Sequence, residues 1–266
     1  MIDLDAYLAR IAYNGSRAPT LETLHALSEA HVRAIPFENI DVVLGRPIDL
    51  ELPALEQKLV HDRRGGYCFE QNTLFLAVLA QLGYRVRPLS ARVRYQRPRE
   101  FTPARTHLFL RVELDESWLV DVGVGAMSLT SALRLGSHDE QQTAHEPRRL
   151  LRENALIYHQ VRLGDTWHDV NEFTLEEMPP IDRIVANWYT STHPQSHFKH
   201  RLLVARAASN GGRITIADRE LTHRARDGAA IRHVIASHDE LVALLFEHFH
   251  IRAPAGARID WGNAWA

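Results

Sequence analysis

The period of the hydrophobic pattern changes once along this chain, near residue 85, and this change limits the folds that the chain can adopt. Before it, apolar residues recur at helical spacing, and after it they alternate as in strands. One more helix is predicted near the C-terminus, where Ser237 and Glu240 stand at capping-box spacing. Helices followed by strands and then a helix favour an α+β fold over a doubly wound sheet. With 266 residues, the chain can form one large domain or two smaller ones.

The predicted helices begin and end at residues that are typical of helix caps. The strongest helical pattern begins near Cys68 and ends at Gly83, a residue suited to a C-cap. The other helices of this region are expected from Asp3 to Ile11, from Thr20 to Pro36 and over Ala54–His61 after Pro53.

The strand pattern predicts a series of antiparallel strands from Val86 onward. In Ala91–Tyr95 apolar and basic residues alternate, which is typical of a half-buried strand. Two further strands flank a turn at Asp115–Ser117, which would pair residue 114 with residue 118. The stretch between Pro179 and His200 is expected to be irregular. The remaining strands are expected at Ala155–Leu163, Trp167–Phe173, Leu202–Ala207, Arg213–Ala217 and Ile231–Ile235.

The composition disfavours several classes of protein. The 31 Lys and Arg against 33 Asp and Glu give a formal net charge of −2, and 45% of the residues are hydrophobic, as in ordinary globular domains. The basic residues are dispersed, so no nucleic-acid partner is expected. No segment resembles a signal peptide or the roughly 20 apolar residues that span a bilayer. We therefore expect a cytoplasmic protein without a membrane partner.

The chain contains one cysteine, Cys68, which is either a small apolar core residue or a nucleophile. A lone thiol excludes an internal disulfide and a multi-cysteine zinc site. Cys68 follows Gly65 and Gly66 and stands at the predicted start of a helix. Backbone N–H groups and the helix dipole at that position stabilise both a thiolate and an oxyanion. The residues alone leave both interpretations open.

A nucleophilic cysteine needs a base and a group that orients the base. Among 16 histidines, His107 stands at the start of a predicted strand, and Asp121 stands at the end of the next one. An antiparallel hairpin brings these two ends together. However, the expected register sets Asp121 opposite Arg111, about 13 Å along the strand from His107. A bulge, or a bend at Gly123 and Gly125, would then be needed to bring the pair into contact.

The segment Arg64–Glu70 resembles the active-site signature of the arylamine N-acetyltransferases. The resemblance covers nearly the whole chain and is densest from residue 35 to residue 125. Further landmarks of that family follow in order at Ile35–Asn39, Gly45–Ile48, Thr106–Leu108, Asp121–Gly125 and Ser191–Phe198.

This resemblance implies a fold in three sections. They are an N-terminal helical bundle over residues 1–85 with the nucleophile, a central antiparallel β-barrel over residues 86–185 with the histidine and the aspartate, and an interdomain segment with an α/β lid over residues 186–266. The change of period near residue 85 agrees with the first boundary. The resemblance also implies a triad of Cys68, His107 and Asp121, arranged as in cysteine proteases.

The resemblance further implies an acyltransferase that moves an acetyl group from acetyl-CoA, its co-substrate, to an arylamine or arylhydrazine. The acetyl group would pass through a thioester on Cys68 in a ping-pong mechanism, and no metal is implied. The acceptor is expected at Phe37, Tyr67, Val93, Val124 and Phe198. Val124 stands where the family often has an aromatic residue, which would give the pocket a different shape.

The coenzyme A phosphates are expected near Arg97, Arg99 and Arg105, which flank the loop before His107, together with Thr106. His193, His197 and His200 are a weak candidate for a metal site, because no neighbouring carboxylate supports it.

Three alternatives to the acetyltransferase remain at this point. An amide synthase of the same family would act on a larger acyl substrate and would suit a pocket widened at Val124. A cysteine hydrolase or a transglutaminase-like enzyme would use the same triad on a peptide or an amide. A ligand-binding module without turnover would have no need of Cys68, His107 and Asp121 together.

Overall fold

The computed structural model describes residues 1–262 together with 264–265. The helices in this part of the chain are α1 (Leu4–Arg10), α2 (Leu21–Ala34), α3 (Ile40–Val43), α4 (Leu52–Glu56), α5 (Cys68–Gln81), α6 (Pro180–Thr192) and α7 (His238–Phe249). The strands are β1 (Phe37–Glu38), β2 (Arg85–Val93), β3 (His107–Glu113), β4 (Ser117–Val120), β5 (Leu133–Arg134), β6 (Arg148–Glu153), β7 (Leu156–Leu163), β8 (Thr166–Glu177), β9 (Leu203–Ala207), β10 (Arg213–Ala217), β11 (Glu220–Arg224) and β12 (Ala230–Val234).

The helix starts that depend on local capping are confirmed. The side chains of Asp3, Thr20 and Ser237 each accept a backbone N–H from the first turn of the helix that follows. Gly83 follows α5 with a φ of 92°, in the left-handed region that a glycine adopts without strain. The helix expected after Pro53 differs, because α4 continues over Gln57–His61 as a π-helix.

The N-terminal helices pack around one apolar core and onto the barrel. The core includes Tyr7, Leu24, Leu27, Leu55, Leu59, Leu74, Phe75 and Val78, together with Val112 and Val120 of the barrel. Because α5 packs against β2 and β3, the helix that begins at Cys68 lies directly on the strand that begins at His107.

Seven strands form a nearly closed antiparallel barrel in the order β5-β4-β3-β2-β8-β7-β6. Its apolar interior includes Leu89, Phe109, Leu119, Leu133, Leu150, Ile157 and Phe173. This architecture confirms the α+β class and the antiparallel barrel. The structure also contains strands β6 and β11, which were not predicted, because polar and charged residues dominate both segments.

A second antiparallel sheet has the order β1-β9-β10-β11-β12 and packs against α7. Its edge strand β1 comes from the N-terminal part of the chain, since Phe37 pairs with Ala205 and Glu38 pairs with Val204. This pairing brings the N-terminal and C-terminal parts of the chain together near α5, the helix that begins at Cys68.

The junction between the two sheets contains one buried carboxylate with three arginines. Glu146 pairs with Arg148 of β6 at 2.9 Å, with Arg213 of β10 at 2.8 Å and with Arg224 of β11 at 2.6 Å. Burial raises the pKa of Glu146, but the guanidinium groups outweigh burial and hold it well below its ordinary value.

The prediction of an irregular stretch between Pro179 and His200 is wrong, because α6 occupies most of it. Pro180 suits the first turn of a helix, where its missing N–H is not needed. Helix α6 buries polar side chains and exposes apolar ones, which is the reverse of the usual amphipathic pattern. Its buried side includes Asn187, Thr190 and Ser191, whereas Ile181, Ile184, Val185 and Trp188 are 57–61% exposed.

The prediction of a half-buried strand over Ala91–Tyr95 is also wrong at its end. Strand β2 ends at Val93, and Arg94 is buried with its Nε 2.9 Å from Glu172 Oε2.

No helix in residues 1–262 or 264–265 is long and apolar enough to cross a membrane.

Candidate active site

Cys68 is the first residue of α5, as predicted from the glycines before it. The helix start is fixed by Glu70, whose Oε2 accepts the backbone N–H of Tyr67 at 3.0 Å. The Cys68 side chain is buried, and its thiol donates to the carbonyl oxygen of Thr106 at 3.7 Å. The thiol therefore lies at the helix N-terminus and next to the residue that precedes His107.

A buried network of charges supports the loop that leads into α5. Arg64 donates from Nε and Nη2 to Oε1 of Glu38, at 2.9 and 2.7 Å. Lys58 lies 2.6 Å from carboxylate oxygens of both Asp41 and Glu70. Burial raises the pKa of Glu70 more than Lys58 lowers it. The network ties the loop before Cys68 to α3 and to the π-helical turn after α4.

Two glycines allow the backbone to approach the site closely. A Cβ on Gly65 would lie 2.1 Å from the carbonyl oxygen of Pro36, well inside van der Waals contact. A Cβ on Gly123 would lie 2.9 Å from Cα of Cys68 and 2.6 Å from Nδ2 of Asn72. Only a residue without a side chain allows the segment after Asp121 to lie directly against the start of α5.

The register of the β3–β4 hairpin brings Asp121 to His107. Glu113 pairs with Ser117, so the predicted pairing of residue 114 with residue 118 is wrong, and the loop is residues 114–116. This register sets Asp121 level with Phe109, on the same face as His107 and diagonal to it. Nε2 of His107 lies 2.7 Å from Oδ2 of Asp121. Neither a bulge nor a bend is needed to bring the two side chains together.

Asn72 connects α5 to the hairpin and was missed in the sequence analysis. Its Nδ2 donates to the carbonyl oxygen of Leu108 at 2.7 Å and to Oδ1 of Asp121 at 3.2 Å. Its Oδ1 accepts the backbone N–H of Val122 at 3.2 Å. Asn72 stands four residues after Cys68, so helical spacing places the two side chains on one face. That spacing is the signal by which the sequence could have identified it.

The electrostatics of the site favour a protonated imidazole beside the thiol. Cys68, His107 and Asp121 are 4%, 2% and 1% exposed. Burial lowers the pKa of His107, but attraction to Asp121 and hydrogen bonds to Asp121 and Cys68 outweigh it and raise the pKa to about 10. The three side chains form one buried group in which an imidazole of raised pKa lies next to a sulfur atom.

Three of the five expected acceptor residues belong to the apolar cluster of Cys68 or pack against it. Phe37 and Tyr67 pack in the apolar cluster that contains Cys68, and Phe198 packs against it. The centroid of the Phe198 ring lies 6.2 Å from that of Phe37 and 5.8 Å from that of Tyr67. Val124 packs against a different apolar group on the barrel, and Val93 is the last residue of β2.

The three expected phosphate-binding arginines differ in their partners. Arg99 forms ion pairs with two carboxylates, at 2.8 and 2.7 Å, and Arg105 forms one at 3.4 Å. The guanidinium group of Arg97 lies over an aromatic ring and has no carboxylate partner in the described part of the chain. Thr106 contributes its carbonyl oxygen to the Cys68 thiol.

The three histidines considered for a metal have separate neighbours. His193 stacks on Tyr189, His197 packs on the ring that follows it, and His200 contacts the carbonyl oxygen of Pro194. Among the residues described, no three His, Cys, Asp or Glu side chains are grouped as they would be to hold a metal ion.

Comparison with known proteins supports the resemblance seen in the motifs. A family model described as N-acetyltransferase matches residues 20–257. An arylamine N-acetyltransferase of Mycobacterium bovis is 44% identical over 256 residues, covering 94% of this chain and 89% of the relative. One from Escherichia coli is 40% identical over 247 residues, covering 92% and 88%.

A solved structure shows the same fold. The structure of the Mycobacterium marinum arylamine N-acetyltransferase in complex with CoA is similar with a TM-score of 0.90 and 42% identity, covering 94% of this chain and 93% of that one. The resemblance is therefore confirmed, and this chain belongs to the arylamine N-acetyltransferase family of acyltransferases.

Proposed function

We propose that this enzyme transfers the acetyl group of acetyl-CoA to an arylamine or arylhydrazine in two half-reactions, through an acetyl-cysteine at Cys68. The observation that carries this proposal is the buried group of thiol, imidazole and carboxylate at Cys68, His107 and Asp121. A cysteine nucleophile, a base and a group that orients the base are the parts that covalent acyl transfer requires.

The proposed first half-reaction forms the acetyl-enzyme. Because Nε2 of His107 faces Asp121, its Nδ1 is left for Cys68, and the proton of the thiol resides on that nitrogen in an imidazolium–thiolate pair. The thiolate of Cys68 attacks the acetyl carbonyl carbon of acetyl-CoA, and N–H groups in the first turn of α5 stabilise the oxyanion. The bond from the carbonyl carbon to the coenzyme A sulfur then breaks, and His107 returns the proton to that sulfur. One thioester replaces another, so the step is close to balanced.

The proposed second half-reaction releases the product. A weakly basic arylamine is neutral at pH 7, so its nitrogen attacks the acetyl-cysteine carbonyl without first losing a proton. His107 accepts the proton that the nitrogen loses, and the Cys68 thiolate leaves. The products are an N-acetylated arylamine and the free enzyme, ready for a second acetyl-CoA.

The substrate contacts follow from the neighbours of the thiol. We propose Phe37, Tyr67 and Phe198 as the aromatic wall that holds the acceptor ring, because they lie at Cys68. Val124 and Val93 are proposed for the outer part of the pocket, where Val124 leaves room for larger acceptors.

The coenzyme A phosphates are proposed at Arg97. Arg99 and Arg105 already have carboxylate partners, whereas Arg97 has none in the described residues. Thr106 is proposed to orient the thiol next to the bound coenzyme.

The three sections expected from the resemblance are proposed to divide the site. Residues 1–85 supply Cys68, residues 86–185 supply His107 and Asp121, and residues 186–266 supply Phe198. Helix α6 crosses the second of these boundaries and covers the apolar cluster at the thiol through Ala186.

Mass spectrometry of the intact protein tests the proposed function. Incubation with acetyl-CoA alone should add one acetyl group, and an arylamine added afterwards should remove it. Cys68→Ser should show neither change, while the control Thr73→Ser, further along α5, should behave as the unaltered enzyme. Absence of the adduct in enzyme with a free thiol would contradict the proposal. It would then favour an amide synthase with another acyl donor, or a hydrolase if the enzyme cleaves peptides.

A further inference from the structure

The side chain of Asn39 forms three hydrogen bonds with one segment that is distant in sequence. Its Nδ2 donates to the carbonyl oxygens of Phe198 and Arg201 at 2.8 and 2.7 Å, and its Oδ1 accepts the N–H of Leu203 at 2.8 Å. An amide side chain has two N–H donors, so both are used here. Asn39 is 2% exposed. These three bonds hold the segment of residues 198–203 in one conformation.

The local position of Asn39 does not explain these bonds. Asn39 is the N-cap residue of α3, a place where asparagine commonly accepts an N–H from the first turn. Its side chain makes no such bond here. The amide instead bonds to a segment about 160 residues later in the sequence, which runs from the turn at His197–Lys199 to the start of β9.

The segment that Asn39 holds carries one wall of the acceptor site. The Phe198 ring packs against the rings of both Phe37 and Tyr67, and Tyr67 precedes Cys68 in the sequence. Phe37 is two residues before Asn39, so one short stretch of chain places both Phe37 and the group that fixes Phe198.

The start of the same segment is fixed independently. The hydroxyl of Ser196 donates to the carbonyl oxygen of Thr190 in α6 at 2.5 Å. Phe198 therefore lies between two anchors, Ser196 before it and the Asn39 bonds at and after it. Asp218 also holds Arg201 and Leu202 at 2.8 and 3.1 Å, but of these groups only Asn39 bonds to the backbone of Phe198 itself. Without Asn39, the Phe198 carbonyl would lose this partner and the ring would be held less firmly at its distance from Phe37.

We propose that Asn39 is a positioning residue for the acceptor half-reaction, because it fixes Phe198 against Phe37 and Tyr67 as the wall that holds an aromatic acceptor over Cys68. Asn39 touches no reacting atom and acts through Phe198. The inference rests on the proposed function, since it assumes an acetyl-cysteine and an arylamine acceptor. It predicts a defect for acceptors with an aromatic ring and none for acceptors without one.

The test compares Asn39→Asp with the unaltered enzyme. The aspartate keeps the acceptor for the N–H of Leu203, but it sets an oxygen against the carbonyls of Phe198 and Arg201. Asn39→Ser is the second variant, used if the aspartate prevents folding. Gln81→Ala is the matched control, because its amide donates to and accepts from the backbone of Ile2, remote from the thiol.

Three rates are measured for each protein. They are acetylation of Cys68 by acetyl-CoA in a single turnover, release of the acetyl group to an arylamine, and release to hydrazine, which has no ring. For Asn39→Asp we expect near-normal acetylation and near-normal release to hydrazine. The arylamine concentration for half-maximal release should rise about tenfold, the factor that matches the loss of one aromatic pair. Gln81→Ala should change none of the three.

The outcomes separate this inference from the proposed function. If the unaltered enzyme forms no acetyl adduct, the proposed function is wrong and this inference falls with it. If the adduct forms normally but the release of the acetyl group to both acceptors is impaired equally in the Asn39 variants, Asn39 has a purely structural role. This inference alone is then wrong. Normal release to the arylamine would overturn it as well.

Discussion

Asp121 lies one diagonal step across the β3–β4 pair from His107, with its Oδ2 2.7 Å from Nε2 of the imidazole. The contact follows from the length of the hairpin loop, since a loop of residues 114–116 sets Asp121 level with Phe109. A register shifted by two residues, with residue 114 opposite residue 118, would move the carboxylate out of reach. The loop therefore determines whether the carboxylate can reach the imidazole.

Replacement of the carboxylate should lower the pKa of His107. Asp121 is the principal group that raises this pKa to about 10, so Asp121→Asn should bring the titration midpoint far down. NMR titration of the His107 ring protons measures this midpoint directly. We also expect acetyl transfer to fall about a thousandfold or more, because the imidazole loses its orientation and its charge partner. An unchanged midpoint would contradict this account of the pair.

The same pair should contribute to stability in a defined pH window. Because the folded pKa of His107 is above its unfolded value, the contribution is full below about pH 6.5 and is lost as the pH rises through about 10. The difference in free energy of unfolding between the unaltered enzyme and Asp121→Asn should therefore shrink from neutral to alkaline pH. Urea titrations at several pH values measure it.

Gly123→Ala should disturb the site from the backbone side. The new Cβ would meet Cα of Cys68 and Nδ2 of Asn72 at distances that real contacts do not show, so α5 and the hairpin must separate. We expect a loss of about 1–3 kcal/mol in stability and a fall in kcat of about a hundredfold. Gly136→Ala is the control, because a Cβ there meets nothing within 4 Å. Equal activity of the two variants would show that the close approach is not required.

Glu146→Gln should destabilise the junction between the two sheets. Arg148 and Arg213 are nearly fully buried and would lose their carboxylate, for which we expect about 3–5 kcal/mol less stability. Because the pKa of Glu146 is lowered, the stabilisation is fully present above about pH 4.5 and is lost progressively as the pH falls from there towards the much lower folded pKa. Chemical denaturation at pH 7 and at several pH values below 4 measures both effects. Glu29→Gln, an exposed partner of Arg33, should change stability by less than about 1 kcal/mol.

Arg97→Ala should weaken the binding of acetyl-CoA. The loss of one guanidinium from the phosphates should raise the KM for acetyl-CoA about tenfold, and less at high salt. Steady-state kinetics at low and high ionic strength measure this effect. Arg99→Ala and Arg105→Ala should change the KM less, because their charges are already paired. The same KM increase for all three would assign the phosphates to the whole basic loop.

The parts of the fold that depend on neighbours in sequence were predictable. The caps at Asp3, Thr20 and Ser237 and the start of α5 at Cys68 depend on side chains within one helical turn. The class of the fold followed from the single change of hydrophobic period. The position of Asn72, one turn after Cys68, was equally accessible from helical spacing.

The parts that depend on distant partners were not predictable from one sequence. The register of β3 and β4 depends on which residues form the loop. A loop of residues 114–116 and a loop of residues 115–117 give pairings that differ by two residues, and both leave the same side chains facing inward. Helix α6 turns polar residues inward because Asn187 bonds to Tyr67 and to the carbonyl oxygen of Ile48, so its pattern opposes the usual rule. Arg94 is buried because Glu172 lies on a strand almost eighty residues later.

The pairing of β1 with β9 has a consequence for the biogenesis of the enzyme. Phe37 and Glu38 leave the ribosome early, but their partners Ala205 and Val204 are synthesised only in the last quarter of the chain. Contacts of such long sequence separation form slowly, so β1 lacks its partner strand β9 through most of translation. A ribosome that stalls before residue 203 would release a polypeptide with Cys68, His107 and Asp121 but without the strand that completes the second sheet. We expect chaperones to bind such a fragment or proteases to degrade it, because its unpaired strand edge stays exposed.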